Sequence, residues 1–211
     1  MLYGGICFIT DSRFTQYAVE ETVRMVLDAG IKWVQYREKY LTRKEIYYQA
    51  ERLRRITEEY RAILIINDYA DIALSVDADG VHLGQEDLPL YEGRKVMGPR
   101  IIGISTHNMD EAKRAEYGSA DYIGYGPIYP TATKEDADIP KGTAGLQVIT
   151  DNVNIPVVAI GGIKLESLEE IFKAGAAAVA VASAILRAED PHNKAREFVK
   201  IIERLKNEKK V

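Results

Sequence analysis

The sequence predicts a single (β/α)8 TIM barrel as one domain over residues 1–211. Short apolar runs rich in β-branched residues recur along the chain, and most of them are separated by stretches with helical periodicity. This alternation is typical of parallel strands joined by right-handed crossovers. Eight such runs are visible, which is the number of strands that closes this kind of barrel.

The predicted elements follow from these local patterns and from the residues that end them. The predicted strands are Ile6–Thr10, Trp33–Arg37, Ala62–Ile66, Gly80–Leu83, Arg100–Ser105, Tyr122–Tyr125, Pro156–Gly161 and Ala177–Val181. The clearest helical stretches are Thr15–Ala29, Arg43–Glu59, Asp110–Tyr117 and Lys164–Ala174. Gly30 and Gly175 lie where the first and seventh helices should end, and Asn108 lies where its side chain can cap the fifth helix.

An open doubly wound sheet is the main alternative to the barrel. The first predicted strand runs into Thr10-Asp11-Ser12-Arg13, which lacks the glycines of a dinucleotide-binding turn. The barrel is therefore preferred. Its active site is expected at the C-terminal ends of the strands.

The composition excludes several classes of protein. Apolar residues make up 46% and charged residues 28% of the chain, which is typical of a packed globular domain and not of a disordered chain. The net charge is −4 and the only lysine-rich block is in the tail at 206–210, so nucleic acid is not an expected partner. No apolar run is long enough for a membrane span, no secretory signal is visible, and the one cysteine, Cys7, fits a reducing compartment. We expect a cytoplasmic protein without a membrane partner.

The end of the second strand, Gln35-Tyr36-Arg37-Glu38-Lys39, is rich in cations. Because side chains alternate along a strand, Gln35, Arg37 and Lys39 share one face and can form an anion site at the barrel mouth. The alternative is that Arg37 and Lys39 pair with Glu38 and neighbouring carboxylates. The residues alone leave both interpretations open.

Carboxylates follow the next two strands. The third strand runs into Asn67 and Asp68, and Asp87 follows the fourth. Neighbouring strands bring Asp68 and Asp87 to the same corner of the rim, where they suit Mg²⁺ that is also bound by substrate phosphate oxygens. The alternative is that each aspartate caps the helix that follows. For Asp71 and Glu86 we favour capping or simple solvent exposure.

Ser105 closes the fifth strand, just ahead of His107. The strand-to-helix elbow of serine hydrolases is lacking and no His–Asp relay is evident, so we interpret the Ser105 hydroxyl as a hydrogen-bond donor to substrate or phosphate. His82 is predicted to be a satisfied core histidine. For His107 we favour a place at the start of the next helix, with a position behind the substrate-contacting residues as the alternative. The histidines are too dispersed for a zinc site.

Two further segments offer anion-binding groups. A long loop, from Pro127 to about Ala144, follows the sixth strand; its length predicts a functional segment, with a surface insertion as the alternative. The loop contains two hydroxyls and an ammonium at Thr131, Thr133 and Lys134.

Small residues, Gly161-Gly162 and Ala182-Ser183, follow the last two strands, where barrels frequently bind phosphate through backbone N–H groups. The sequence therefore predicts two anion sites. One is metal-assisted and lies on the early strands, and the other is built from backbone and lies on the late strands.

Six segments that carry these residues occur in a characteristic order. They are Val34–Lys39, Ile65–Asp68, Asp79–Asp87, Gly103–His107, Gly124–Lys134 and Ala159–Ile163. They resemble the thiamine phosphate synthase family, and the resemblance covers nearly the whole chain. It implies a transferase that joins 4-amino-2-methyl-5-(diphosphooxymethyl)pyrimidine to a thiazole phosphate, giving thiamine phosphate and diphosphate. The implied reaction is a Mg²⁺-assisted dissociative loss of diphosphate, followed by capture of the methylene cation by the thiazole nitrogen.

The resemblance also implies residue roles. By similarity, the pyrimidine diphosphate is held by Gln35, Arg37, Lys39, Asn67, Ser105 and Lys134. The catalytic residues among them are Arg37, Lys39, Ser105 and Lys134. Mg²⁺ is expected on Asp68 and Asp87. The thiazole phosphate is expected on Thr131, Thr133, Gly162, Ala182 and Ser183. Tyr36 departs from the leucine or phenylalanine of the family, and we expect it to point away from the anion face as a packing change.

Two other functions are weighed against this one. A thiazole tautomerase-like isomerase shares the phosphate glycines but handles no diphosphate, and a non-catalytic barrel would bind a thiamine precursor and regulate a partner. The complete set of Arg37, Lys39, Asp68 and Asp87 argues against both. The expected partners are small-molecule substrates, and the sequence leaves monomer and homodimer open.

Overall fold

The computed structural model describes residues 5–131, 133 and 139–208. Its strands are β1 Ile6–Ile9, β2 Trp33–Tyr36, β3 Ile63–Asn67, β4 Gly80–Leu83, β5 Ile101–Thr106, β6 Tyr122–Tyr125, β7 Val157–Ile160 and β8 Ala178–Val181. They pair in parallel in chain order, and β8 returns to β1 through the pair Cys7 and Ala180, which closes the barrel. The predicted fold class and the eight predicted strands are confirmed.

Helices connect the strands. They are α1 Val19–Asp28, α2 Arg43–Glu59, α3 Ala70–Ser75, α4 Leu90–Met97, α5 Met109–Tyr117, α6 Gly142–Thr150, α7 Leu168–Lys173, α8 Ser183–Leu186 and α9 Pro191–Glu208. Within the described part of the chain, none of them combines the length and the apolar content that crossing a membrane requires. The predicted caps are confirmed: Asn108 Oδ1 accepts from the Glu111 N–H at 2.9 Å, and Gly30 and Gly175 have φ of +105° and +91°.

Two predicted helix starts were too early. α1 begins at Val19 and not at Thr15, because the Asp11 carboxylate caps a 3-10 turn over Ser12–Phe14 and Thr15 Oγ1 then accepts from the Tyr17 N–H at 3.1 Å. Such side-chain-to-backbone hydrogen bonds compete with helix formation. Similarly, a 3-10 turn over Leu165–Ser167 precedes α7.

The long loop after β6 ends sooner than predicted. Its base is closed by the Lys141 N–H, which donates to Pro127 O at 2.8 Å, and by the Gly142 N–H, which donates to Ile128 O at 3.0 Å. The helix α6 starts at Gly142, so Ala144 lies in the helix and not in the loop. The loop therefore begins and ends at the rim of the barrel.

Two apolar clusters stabilise the barrel. Outside the strands, Val34 and Leu64 are fully buried in one cluster with Val23 of α1 and Leu53 of α2. Inside the barrel, a second cluster contains Cys7, Ile9, Trp33, Ile65, Tyr122, Val158, Ala178 and Ala180. Alternate residues of most strands contribute to the two clusters, as Trp33 and Val34 of β2 do, so these strands are largely apolar on both faces.

A repeated polar arrangement ties the N-terminal ends of the strands together. Asp79, just before β4, accepts from the N–H of Leu64 in β3 at 2.8 Å and from Arg54 of α2 at 2.7 Å. Asp121, just before β6, accepts at the same distances from the N–H of the second residue of β5 and from Arg94 of α4. These contacts lie at the end opposite the predicted site, and we interpret them as structural.

Candidate active site

A cavity of about 760 Å³ opens at the C-terminal ends of the strands. The predicted site residues that line it are Gln35, Arg37, Lys39, Asn67, Asp68, Asp87, Ser105, Thr131, Thr133, Gly162, Ala182 and Ser183. Lys134 lies outside the described residues. The structure thus brings together every predicted site residue that it describes. The reason is geometric, since all parallel strands of a barrel end at one face.

Arg37 is oriented by a buried carboxylate that the sequence did not single out. Asp11, 3% exposed, accepts from Arg37 Nη1 at 2.7 Å and from Arg13 Nη2 at 2.9 Å. Burial by itself would raise the pKa of Asp11, but the hydrogen bonds from Arg13 and the charges of Arg37 and Arg13 hold this pKa below its usual value. Asp11 is therefore an anion that fixes two guanidinium groups at the cavity wall.

The cations of the second strand pair with other carboxylates than Glu38. The buried Glu38 carboxylate accepts from the N–H groups of Lys39 at 2.7 Å and Tyr40 at 2.8 Å, so it shapes the turn after β2. Lys39 Nζ lies 2.5 Å from Asp68 Oδ2. The alternative interpretation, pairing with Glu38 and neighbouring carboxylates, is wrong for Glu38 but confirmed for the neighbours, since Arg37 pairs with Asp11 and Lys39 with Asp68. Arg37 and Lys39 lie in the cavity beside Asp11 and Asp68.

Asp68 and Asp87 lie side by side at the corner between β3 and β4. Asp68 has φ of +66°, and its N–H donates to His82 O at 2.8 Å; Asp87 Oδ2 accepts from the Gly84 N–H at 2.7 Å. Burial raises the pKa of Asp87 and the adjoining Asp68 carboxylate raises it further, against the opposing Gly84 N–H and Lys39 charge. The helices α3 and α4 have Tyr69 and Pro89 at their N-caps, so the capping alternative for these aspartates is wrong.

This carboxylate pair fits a hard divalent cation. A cation between the two groups would relieve the repulsion that raises the pKa of Asp87. Among the residues that the structure describes, no group of three or more His, Cys, Asp and Glu side chains is arranged to hold a metal. The remaining ligands would then be oxygens of substrate or water, which is usual for Mg²⁺.

Ser105 has a histidine partner that the sequence reasoning missed. His82 is a buried histidine, as predicted, but its Nε2 lies 2.9 Å from Ser105 Oγ and its Nδ1 lies 2.9 Å from Tyr122 Oη. The three residues stand on the neighbouring strands β4, β5 and β6. The signal available in the sequence was the position of Ser105 and His82 near the ends of adjacent strands.

Hydroxyl groups and glycines form the opposite side of the cavity. Thr131 Oγ1 and Thr133 Oγ1 are 3.2 Å apart, and Thr133 Oγ1 donates to Ser183 Oγ at 3.2 Å. Gly162 has φ of +67°, and a Cβ added there would lie 2.6 Å from Pro130 O. A side chain at Gly162 is therefore excluded twice, by the backbone conformation and by the space.

The remaining sequence predictions concern two residues that line the cavity, His107 and Glu86, and two that do not, Tyr36 and Asp71. Tyr36 is buried and its hydroxyl donates to Gln49 Oε1 at 2.6 Å, which confirms that it points away from the anion face. His107 belongs to the helix start as predicted, since its Nδ1 lies 2.9 Å from Glu111 Oε2 in α5. Asp71 and Glu86 are exposed, as predicted.

Comparison with known proteins identifies relatives of nearly full length. Residues 6–185 match the family model described as thiamine monophosphate synthase. A thiamine-phosphate synthase of Archaeoglobus fulgidus is 46% identical over 205 residues, which are 97% of this chain and 96% of that protein. One of Halalkalibacterium halodurans is 46% identical over 192 residues, 90% of this chain and 89% of that protein.

A solved structure extends the comparison to three dimensions. Thiamine phosphate pyrophosphorylase from Pyrococcus furiosus superposes with a TM-score of 0.90 at 39% identity, covering 97% of this chain and 98% of that chain. The family match runs from β1 to the short helix α8 and therefore includes every strand end that lines the cavity. The chain belongs to the thiamine monophosphate synthase family.

Proposed function

We propose that the protein is a thiamine phosphate synthase that joins a hydroxymethylpyrimidine diphosphate to a thiazole phosphate, releasing diphosphate. One observation carries this proposal beyond family membership. A single cavity is lined by two groups of candidate anion-binding residues, one with cations and carboxylates after β2 to β4 and one with glycines and hydroxyls after β6 to β8. Two phosphorylated substrates that react with each other need such a pair of sites in one cavity.

The early-strand site suits a diphosphate leaving group. In the proposed reaction the C–O bond to the pyrimidine methylene breaks, and its electron pair leaves with the diphosphate. Arg37 and Lys39 bind this group, together with Gln35 and Asn67 at the same wall of the cavity. Lys134 is proposed as a further cation. The positive charges of Arg37, Lys39 and Lys134 interact most strongly when the leaving group carries its full negative charge. The transition state is then stabilised more than the bound substrate, which is the condition for catalysis.

Asp68 and Asp87 are proposed to hold Mg²⁺ beside the same group. When bound, the ion supplies charge neutralisation for the departing diphosphate. Lys39, 2.5 Å from Asp68, already places a positive charge at this corner. The Asp68 carboxylate would therefore bind two cations, Lys39 and Mg²⁺, and its loss should weaken the binding of both.

The late-strand site suits the thiazole phosphate. Gly162 and Ala182 line the cavity, and their backbone N–H groups are proposed to donate to the phosphate together with the hydroxyls of Thr131, Thr133 and Ser183. Held there, the thiazole ring presents its nitrogen lone pair to the methylene cation, and the C–N bond forms. No protein nucleophile or strong base is needed, so Ser105 acts as a hydrogen-bond donor and not as an attacking group.

The proposed compartment is the cytoplasm.

The test is formation of thiamine phosphate by the purified protein from both substrates, with Mg²⁺ and with a chelator. The product is measured as fluorescent thiochrome after oxidation. We expect product only with Mg²⁺. Product that is unchanged by the chelator contradicts the metal assignment. Folded protein that binds the thiazole phosphate but forms no product contradicts the synthase and favours the tautomerase-like or regulatory alternatives.

A further inference from the structure

The guanidinium of Arg13 lies between the two halves of the cavity. It follows β1 in the 3-10 turn Ser12–Phe14, and its side chain is 25% exposed. Its Nε and Nη2 donate to the Asp11 carboxylate at 3.0 and 2.9 Å, and Nη2 also donates to the backbone carbonyl of Thr133 at 2.6 Å. One side chain thus contacts a buried anion of the early-strand site and the main chain of the loop after β6.

These contacts extend on both sides to groups assigned to the substrates. Asp11 also accepts from Arg37 at 2.7 Å, and Arg37 is proposed to bind the diphosphate. Thr133 donates to Ser183 at 3.2 Å, and both are proposed to bind the thiazole phosphate. A continuous path of hydrogen bonds therefore runs from Arg37 through Asp11, Arg13 and Thr133 to Ser183.

Arginine is the residue type that this position needs. A planar guanidinium can bond a carboxylate through two nitrogens and still donate to a carbonyl, whereas a lysine ammonium carries its three N–H donors on one nitrogen and cannot form that two-nitrogen pair. The rings of Phe14 and Tyr40 lie 5.0 and 5.3 Å from the guanidinium carbon and limit its positions further. The group is therefore held in one orientation from several sides.

We propose that Arg13 is a positioning residue that couples the two substrate sites, an inference that rests on the proposed function of those sites. Asp11 shares its negative charge between Arg37 and Arg13. A diphosphate that binds Arg37 changes this sharing, and it therefore changes how firmly Arg13 and Thr133 are held. Anion binding at Thr133 and Ser183 acts back along the same path. The coupling is reciprocal, because each ligand changes the affinity for the other by the same factor.

Binding experiments test this coupling without turnover. The dissociation constant of the thiazole phosphate is measured by calorimetry, alone and with saturating inorganic pyrophosphate and Mg²⁺, and the reverse titration is then done. For the unchanged protein we expect each ligand to increase the affinity for the other about 5-fold or more, the lower end of usual coupling. In Arg13→Gln and Arg13→Lys we expect this factor to fall below about 2-fold.

A matched variant separates the coupling from general effects of losing an arginine. Arg43→Gln removes an arginine that pairs with Asp71 and lies 4.7 Å above the Tyr69 ring, but does not line the cavity. It should keep the full coupling. Arg13→Lys keeps the charge and provides a second variant if Arg13→Gln unfolds; thermal melts verify folding.

The outcomes are distinct. An unchanged protein without coupling, or an Arg13→Lys variant that keeps it, overturns the proposal. If both variants lose pyrophosphate affinity but keep the coupling factor, Arg13 is a direct anion ligand and the proposal is also overturned. Absence of thiamine phosphate formation by the unchanged protein would contradict the proposed function, whereas the coupling factor is measured independently of product.

Discussion

His82 on β4 holds Ser105 on β5 through a hydrogen bond of 2.9 Å between Nε2 and Oγ. Burial lowers the pKa of His82 from 6.5 to about 4, against a small opposing effect of Asp87, so the ring is neutral near pH 7. In the tautomer with its proton on Nε2, His82 donates to Ser105 and accepts from Tyr122. The Ser105 proton then points to a substrate oxygen, as the proposed role of Ser105 requires.

The buried His82 predicts acid sensitivity of the fold. Because the pKa is about 4 in the folded state and 6.5 when unfolded, the unfolded state binds more protons between these values. Stability should therefore fall as the pH decreases from about 6.5 to about 4, by up to about 1.4 kcal/mol per pH unit. Urea unfolding at a series of pH values measures this slope.

Two variants isolate the contribution of His82 from that of the carboxylates. His82→Asn should have a shallower slope than the unchanged protein, since the titrating group is gone. His192→Asn, in α9 and outside the cavity, should keep the original slope. Equal slopes in all three proteins would contradict the prediction.

Asp68→Asn should lower turnover by about two to three orders of magnitude and leave the fold intact. The variant loses the negative charge that holds Lys39 and the proposed Mg²⁺, a loss comparable to that of an electrostatic catalytic group. Asparagine tolerates the positive φ of this position, so the backbone should not change. Steady-state kinetics across a Mg²⁺ titration measure the effect, with the exposed Asp71→Asn as control. Near-normal turnover would contradict the proposed role of Asp68.

Gly103→Ala should destabilise the protein and weaken Ser105 function together. A Cβ at Gly103 would lie 2.1 Å from the ring of Tyr122, so this ring must move. His82 then loses its hydrogen bond with the Tyr122 hydroxyl. Overpacking of this kind costs about 1–3 kcal/mol or more, which for a domain of this size lowers the melting temperature by at least a few degrees. Thermal melts and kinetics report both effects.

Gly124→Ala is the matched comparison for that variant. Its added Cβ would lie 3.2 Å from His82, a contact that a small shift can accommodate. We expect less than half of the loss in melting temperature. A larger loss for Gly124→Ala than for Gly103→Ala would contradict this packing account.

Asp121→Ala should cost stability but not activity. The substitution leaves the Ile102 N–H without its carboxylate acceptor and Arg94 without its anion, at a cost of about 1–3 kcal/mol. Asp71→Ala removes an exposed carboxylate paired with an exposed arginine and should stay within about 0.5 kcal/mol. Urea midpoints compare the two. A lowered kcat in folded Asp121→Ala would contradict this prediction and show that the N-terminal ends of the strands affect the site.

The sequence by itself determined the barrel and the residues at its mouth. Apolar strands alternating with amphipathic helices leave few ways to bury the apolar surface, and closing parallel strands places all their C-terminal ends on one face. Gln35, Asp68 and Ser183 could therefore be assigned to one rim while far apart in the chain. The roles of these residues remain predictions.

Only the tertiary structure decided which partners those residues have. His82 and Ser105 meet because β4 and β5 pair His82 with Gly103, and Arg13 reaches Thr133 across 120 positions of the chain. Such contacts depend on strand register and on loops that fold over the rim, and neither leaves a periodic pattern in the sequence. The sequence places residues at the rim, whereas the packed barrel sets their distances and charges, because those depend on residues distant in the chain.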